Sequence, residues 1–476
     1  FITLTTSLVL VMAATVVVWT TDLLKIAIDK NIGIRNNTLA YDVWVKPPIY
    51  PLIGIYVFNY TNTEEYLAGI DEKLKVKEVG PFVYRETTEK VNVVFNDNGT
   101  VTYQQKSTFD FVPELSGGHL PRQTRITVPN LPLLSAMSVM KDMYILTQLA
   151  FLAVAKTLET RQFVHLTAHD FFWGYDDPLF SLARTYASFT HELPYKRFGL
   201  FAQRNGVRKD RITIYTGVDN KDKFGIVSRW NGADRMHYWN GEECNRIDGT
   251  DGSFFPPHLV NRESRLYIYH HDMCRRLPLE YKEEVISTGG IPALRYQLPR
   301  DIFANPDVNP ENACFCHPDI QTCPPSGVFN ASPCSYGAPL MMSLAHFYLG
   351  DPVLLETVEG LKPDPERHES YTDMHPEIGV PLDGKSRMQV NMMIRKSNTL
   401  SQLASLRDGS ILPIAWFDVG LDDFPDEVMT IIYHVTFTRH RVQIAMQYGF
   451  LSLSAILLFF FVRRLRNRST SSVSPI

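Results

Sequence analysis

The sequence predicts an α+β membrane protein, with one large ectodomain between two terminal transmembrane helices. Three observations predict it. Phe1 to Thr21 and Val442 to Val462 are uncharged, Val/Leu/Ile/Phe-rich runs, each able to cross a hydrocarbon core of roughly 30 Å as a helix rising about 1.5 Å per residue. The residues between them alternate strand-like segments with one helix-forming stretch. All six cysteines lie between Cys244 and Cys334. The 476-residue chain is 45% hydrophobic and 21% charged, which excludes a disordered or fibrous chain. A net charge of -4 argues against nucleic acid as a partner.

The first run is longer than a signal-peptide core and has no small-x-small cleavage site after it. It is therefore expected to stay as a helix, with native residues preceding Phe1. Arg463, Arg464, Arg466 and Arg468 follow the second run, against Arg439 and Arg441 before it. The excess places the tail in the cytoplasm. The expected organisation is a transmembrane helix at 1–21, an ectodomain at 22–441, a second helix at 442–462 and a cytoplasmic tail at 463–476. Sequons at Asn36, Asn59, Asn98 and Asn330 fall inside the ectodomain and are read as glycosylation sites. An even cysteine count in an extracellular segment reads as a disulfide framework, and six cysteines allow fifteen connectivities. Setting the four tail arginines aside leaves 43 basic against 51 acidic residues outside, so an anionic ligand needs a local basic patch.

Along the chain, residues 40–115 read as β-structure, with a hairpin predicted where Val91 to Phe95 runs through Asn98-Gly99 into Val101 to Tyr103. Residues 131–160 are apolar helix formers interrupted by Lys141 and Asp142. They read either as core helices or as a helical cap whose apolar face meets a ligand or partner. Arg211 to Tyr215 and Leu266 to Tyr269 read as short strands, and the Pro-rich stretch 305–339 as irregular. Met388, Val390, Met392 and Ile394 alternate with polar residues, predicting a half-buried strand.

Motifs for chemistry are weak. Gly379 to Ser386 fits the phosphate-loop pattern, with Ile411 to Asp418 as its magnesium strand. No buried strand precedes it and no helix follows, so Asp383-Gly384 is read as a turn. His165, His169 and Asp170 suggest a zinc face but lack a third ligand of the right spacing. Cys314, Cys316, His317 and Cys323 are read as disulfide chemistry, with no metal. There is no G-x-S-x-G elbow. Neither an enzyme nor a cofactor is expected.

Several segments in order resemble one family. They include Glu78-Val79-Gly80-Pro81-Phe82-Val83-Tyr84-Arg85, Phe172-Trp173-Gly174-Tyr175-Asp176-Asp177-Pro178 and Gly290 to Tyr296. Asn309 to Cys316, Ser326-Gly327-Val328, Gly337-Ala338-Pro339, Val358 to Leu361 and Asp373-Met374-His375-Pro376 complete the set. The chain resembles the class B scavenger receptor family, which includes the platelet glycoprotein IV fatty-acid translocase, the high-density-lipoprotein receptor, lysosomal integral membrane protein and croquemort. The resemblance implies an antiparallel β-barrel core with an apical helical bundle (about 131–190) and an apolar tunnel running towards the bilayer. It also implies disulfides Cys244–Cys314, Cys274–Cys334 and Cys316–Cys323 within 244–334. Ligand contact is expected at Lys141, Phe151, Lys156 and Arg161. The implied function is a plasma-membrane receptor that binds fatty acids, sterol esters or lipoprotein particles and assists lipid transfer. Gly337-Ala338-Pro339 and His346-Phe347-Tyr348 look more like the lysosomal branch, which implies an alternative: a lysosomal membrane receptor carrying a luminal protein. A membrane-tethered hydrolase is the reading from another class.

Overall fold

In the computed structural model, residues 2–187, 197–202 and 204–471 are described. The helices used below are α1 (Ile2–Thr20), α2 (Leu131–Met140), α3 (Ile145–Thr157), α4 (Ala168–Trp173), α5 (Pro178–Ala187) and α6 (Arg439–Ser471). The strands are β1 (Pro51–Tyr60), β2 (Leu74–Phe95), β3 (Thr100–Phe111), β4 (Arg125–Pro129), β5 (Phe163–Thr167), β6 (Ile212–Tyr215), β7 (Val227–Trp230) and β8 (Leu266–His270). They continue as β9 (Arg275–Ser287), β10 (Ile291–Gln297), β11 (Val328–Asn330), β12 (Leu340–Leu344), β13 (Tyr371–Met374), β14 (Pro381–Met393) and β15 (Ile411–Leu421). Residues 188–190 of the expected helical bundle and 472–476 of the expected tail lie outside the described residues.

The chain divides into two compact units. One comprises the terminal segments up to Ile34 and from Phe424 onward; the other is Arg35–Asp423. In the terminal unit α1 and α6 run antiparallel, and both are long and apolar enough to cross a membrane. Their apolar side chains give no preference for protein over lipid, so polar groups hold the pair together. Thr15 Oγ1 meets Ser454 Oγ at 2.8 Å, Gln443 Nε2 donates to Val18 O at 2.9 Å, and Arg439 pairs with Asp22 at 2.9 Å.

The central unit is a mixed α/β fold built on a nearly closed, barrel-like sheet. Its strands run β7-β6-β3-β2-β1-β15-β14-β13-β10-β9-β8, antiparallel throughout this path. The predicted hairpin joins β2 to β3, with Phe95 opposite Val101 and Gly99 at a φ of +69° that favours glycine. β4 and β5 form a separate ladder. The main core gathers Ile55, Val57 and Phe58 of β1, Leu412, Ile414 and Trp416 of β15, and Leu133, Leu134 and Met137 of α2.

Two strand expectations are corrected. From Met388 to Met392, β14 is buried on both faces, Gln389 and Asn391 as fully as Met388 and Met392. Its polar face is satisfied internally: His346 N donates to Gln389 Oε1 at 2.6 Å, Gln389 Nε2 to Asn391 Oδ1 at 2.7 Å, and Asn391 Nδ2 to Ser343 Oγ at 3.0 Å. Strict alternation reports which groups are polar, and here a buried network replaces solvent. Asp383-Gly384 is not a turn either. It lies inside β14 opposite Asp373 and Thr372, and the chain reverses earlier, at 375–379. Gly379 makes that reversal at φ +66°, where a Cβ would stand 2.0 Å from Phe255 O.

The structure joins Cys244 to Cys314, Cys274 to Cys334 and Cys316 to Cys323. These bonds order 310–334, which holds short 3₁₀ turns and the three-residue β11.

Candidate functional site

Residues 131–157 form two helices of similar composition and opposite fate. α2 starts at Asn130, whose side chain accepts from Leu133 N at 3.1 Å, and buries Leu131, Leu133, Leu134 and Met137. α3 lacks a side-chain cap and buries Gln148, Leu152 and Ala155 along one stripe. Apart from the half-buried Phe151, its other residues are exposed, with Ile145 63%, Leu146 76% and Leu149 48% exposed, next to Tyr144 at 88%. A helix apolar all round is normally enclosed or in lipid. Here a contiguous apolar surface is left open.

The basic residues expected to attract ligand are partly occupied. Lys141 pairs with Asp408 at 3.0 Å, and Lys156 Nζ donates to Gln402 Oε1 at 2.7 Å. Arg161 is exposed beyond the end of α3. Phe151 is half-buried and packs against the main core rather than standing clear of the surface. The α3 surface is therefore apolar first and cationic second.

A second feature is an aromatic crevice of about 630 Å³. Phe109 and Phe111, two apart on β3, point to the same side, and Phe111 lies opposite Tyr84 of β2. Trp173, the last residue of α4, closes the cluster: its ring centroid is 5.4 Å from both Tyr84 and Phe109, and its Nε1 donates to Tyr84 OH at 3.3 Å. Burial pushes the Tyr84 hydroxyl pKa up, against the opposing pull of Trp173 and Arg122. Arg122 and His169 give this crevice a polar edge. The arrangement suits an amphiphile, with rings along its apolar part and a cation near its head.

The two histidines of the suggested zinc face are separated by the fold. His165 sits on β5, 2.8 Å from Thr127 Oγ1 across the β4–β5 ladder, whereas His169 is on α4 at the crevice. Among the described residues no group of three His, Cys, Asp or Glu is placed to hold a metal. Asp418, the supposed magnesium ligand, pairs with Arg387 at 3.3 Å. Of the sequons, Asn36 and Asn98 are exposed on turns. Asn59 is half-buried in β1, its Oδ1 accepting from Thr127 N at 2.7 Å. Asn330, the fourth sequon, is 8% exposed inside β11, with its Oδ1 accepting from Ser332 N.

Sequence reasoning missed one polar cluster within the central unit. Glu78 of β2 accepts from Trp416 Nε1 at 2.8 Å, meets His346 Nε2 at 2.7 Å and pairs with Arg367. Burial alone would raise the Glu78 carboxyl, but the hydrogen bonds from His346, Trp416 and Arg367 prevail and bring it to about 2. The His346 ring stacks on His368 at 4.5 Å, and Tyr56 on Trp416 at 4.1 Å. His346 Nδ1 accepts from Lys362 N and His368 Nδ1 from Asp364 N, so a backbone donor fixes the orientation of each ring. Burial, reinforced by His346 and Arg367 against Glu78 and Asp364, lowers His368 to about 4. Its four segments lie far apart in the chain, and no local spacing signals their meeting.

The family model described as "CD36 family" matches residues 3–465. Scavenger receptor class B member 1 of Bos taurus is 34% identical over 449 residues, covering 94% of this chain and 85% of that protein. The Mus musculus protein of the same name is 35% identical over 397 residues, 83% of this chain and 75% of its own length. Lysosome membrane protein 2 of Homo sapiens is 34% identical over 393 residues, covering 82% of this chain and 79% of that protein.

Proposed function

Because the chain belongs to the CD36 family, we propose that it is a two-span scavenger-type receptor that docks lipid particles or lipoproteins on α3 and takes up single lipid molecules. The observation that carries this is the open apolar surface of Tyr144, Ile145, Leu146 and Leu149. Such a surface inserts among acyl chains or the apolar faces of lipoprotein helices, and each CH₂ removed from water contributes roughly 0.8 kcal/mol. A fatty acid or sterol ester leaving the particle finds a next apolar station in the crevice of Tyr84, Phe109, Phe111 and Trp173. Arg122 there neutralises a carboxylate head. Transfer down a gradient towards the bilayer through an apolar tunnel needs no motor.

In this reading α1 and the 442–462 part of α6 span the membrane, the residues between them face outward, and Arg463, Arg464 and Arg466 hold the tail in the cytoplasm. The relatives carry receptor and membrane-protein names, which supports binding and transfer over hydrolysis. The test is uptake of a fluorescent long-chain fatty acid and a labelled lipoprotein by cells displaying the full-length protein. Uptake above a mock control is expected, and loss of it in Leu146→Glu/Leu149→Glu. A second reading, a lysosomal membrane receptor carrying a luminal protein, is supported by identity to lysosome membrane protein 2 equal to that with the scavenger receptors. Internal retention without uptake would favour it.

A further inference from the structure

Arg275, at the start of β9, is 5% exposed, and its guanidinium is enclosed by three phenylalanines. Their ring centroids lie 4.1 Å (Phe315), 5.2 Å (Phe329) and 5.8 Å (Phe303) away. A guanidinium carries five N–H donors. Among the described residues Arg275 has one acceptor, Asn312 Oδ1 at 2.7 Å, and its Nε is buried with none. Glu311 acts on it electrostatically but forms no ion pair with it; burial pulls the guanidinium down to about 9, so it stays charged at neutral pH. Ring faces offset part of the cost of burying a cation, but they accept no conventional hydrogen bond.

The same guanidinium lines a cavity of about 20 Å³, together with Asn305, Asn312, Asn330 and the Cys316–Cys323 disulfide. That space suits a single monatomic or water-sized guest and nothing larger. We infer that this cavity holds a small monovalent anion of chloride size, the counter-ion of Arg275, tying the disulfide-bonded segment 303–330 to β9. Phe303, Phe315, Phe329 and Asn330 complete its lining.

The test uses the full-length protein in detergent micelles, with thermal unfolding in sodium chloride, sodium bromide and sodium gluconate at equal ionic strength. The halides should raise Tm by about 2–4 °C over gluconate. Arg275→Met, which fills the site with an apolar side chain of similar length, should erase that difference. Anomalous diffraction from bromide-grown crystals should place a peak beside Arg275, a readout that stands even if the variant does not fold. Equal Tm in all three salts, a halide shift that survives in Arg275→Met, or a water without bromide at that position would overturn the proposal.

Discussion

α2 and α3 are neighbours in sequence and alike in composition, yet one is core and the other surface. α2 inherits its direction from β4 through the Asn130 cap and is driven under the sheet, where Leu133 and Leu134 are 0% and 2% exposed. α3 starts without a side-chain cap and rests one stripe on the turn Thr399–Gln402, with Lys156 reaching Gln402. The difference teaches that apolar content measures the drive to be covered, not the identity of the cover. For α2 the cover is this chain; for α3 it is, in the proposed reading, a docked lipid particle.

The sharpest way to break that contrast is truncation. Leu133→Ala should lower stability by about 3 kcal/mol, while Leu146→Ala should change it by less than about 0.5 kcal/mol; thermal unfolding in micelles checks both. Comparable losses at the two positions would make α3 a second core helix. Next, Leu149→Glu should leave folding intact yet weaken lipoprotein binding about tenfold, a loss of about 1.4 kcal/mol. Lys156→Glu should weaken it less, since its ammonium is already engaged by Gln402. A larger effect at Lys156 would reverse the ranking of apolar over cationic docking.

Acid separates the two regions further. Both Glu78 and His368 have folded-state pKa values below their ordinary ones. Their contribution is therefore complete above about pH 6.5, fades as His368 titrates towards 4, and falls again as Glu78 is protonated below 4.5. Tm should drop over that range and do so equally in Leu149→Glu, while His368→Gln should flatten the upper part of the profile. The smallest effect is expected at Lys141→Ala: its partly exposed ion pair with Asp408 should cost under about 0.5 kcal/mol.

What could be read from the sequence followed from local physics. The hairpin at Asn98-Gly99 needs a left-handed glycine and little else, and uncharged runs declare the terminal helices by length alone. Where tertiary context decides, reading failed. Alternation in Met388 to Ile394 could not reveal that three strands would pair with β14, and Asp383-Gly384 carries turn chemistry inside a ladder. The disulfide pairing could be written only through family resemblance, since fifteen connectivities were open. The aromatic crevice draws on β2, β3, the 120–123 turn and α4, and the Glu78 cluster on four distant segments, so neither leaves a motif.

The pairing of α1 with α6 has a polymer-physics consequence. The contact between Thr15 and Ser454 joins positions 439 apart in the chain, turning everything between them into a closed loop. Bringing the ends of a loop that long together costs roughly 5 kcal/mol of chain entropy, which the contacts of the folded protein offset. Loss of either helix would remove that closure cost from folding without touching one contact of the sheet.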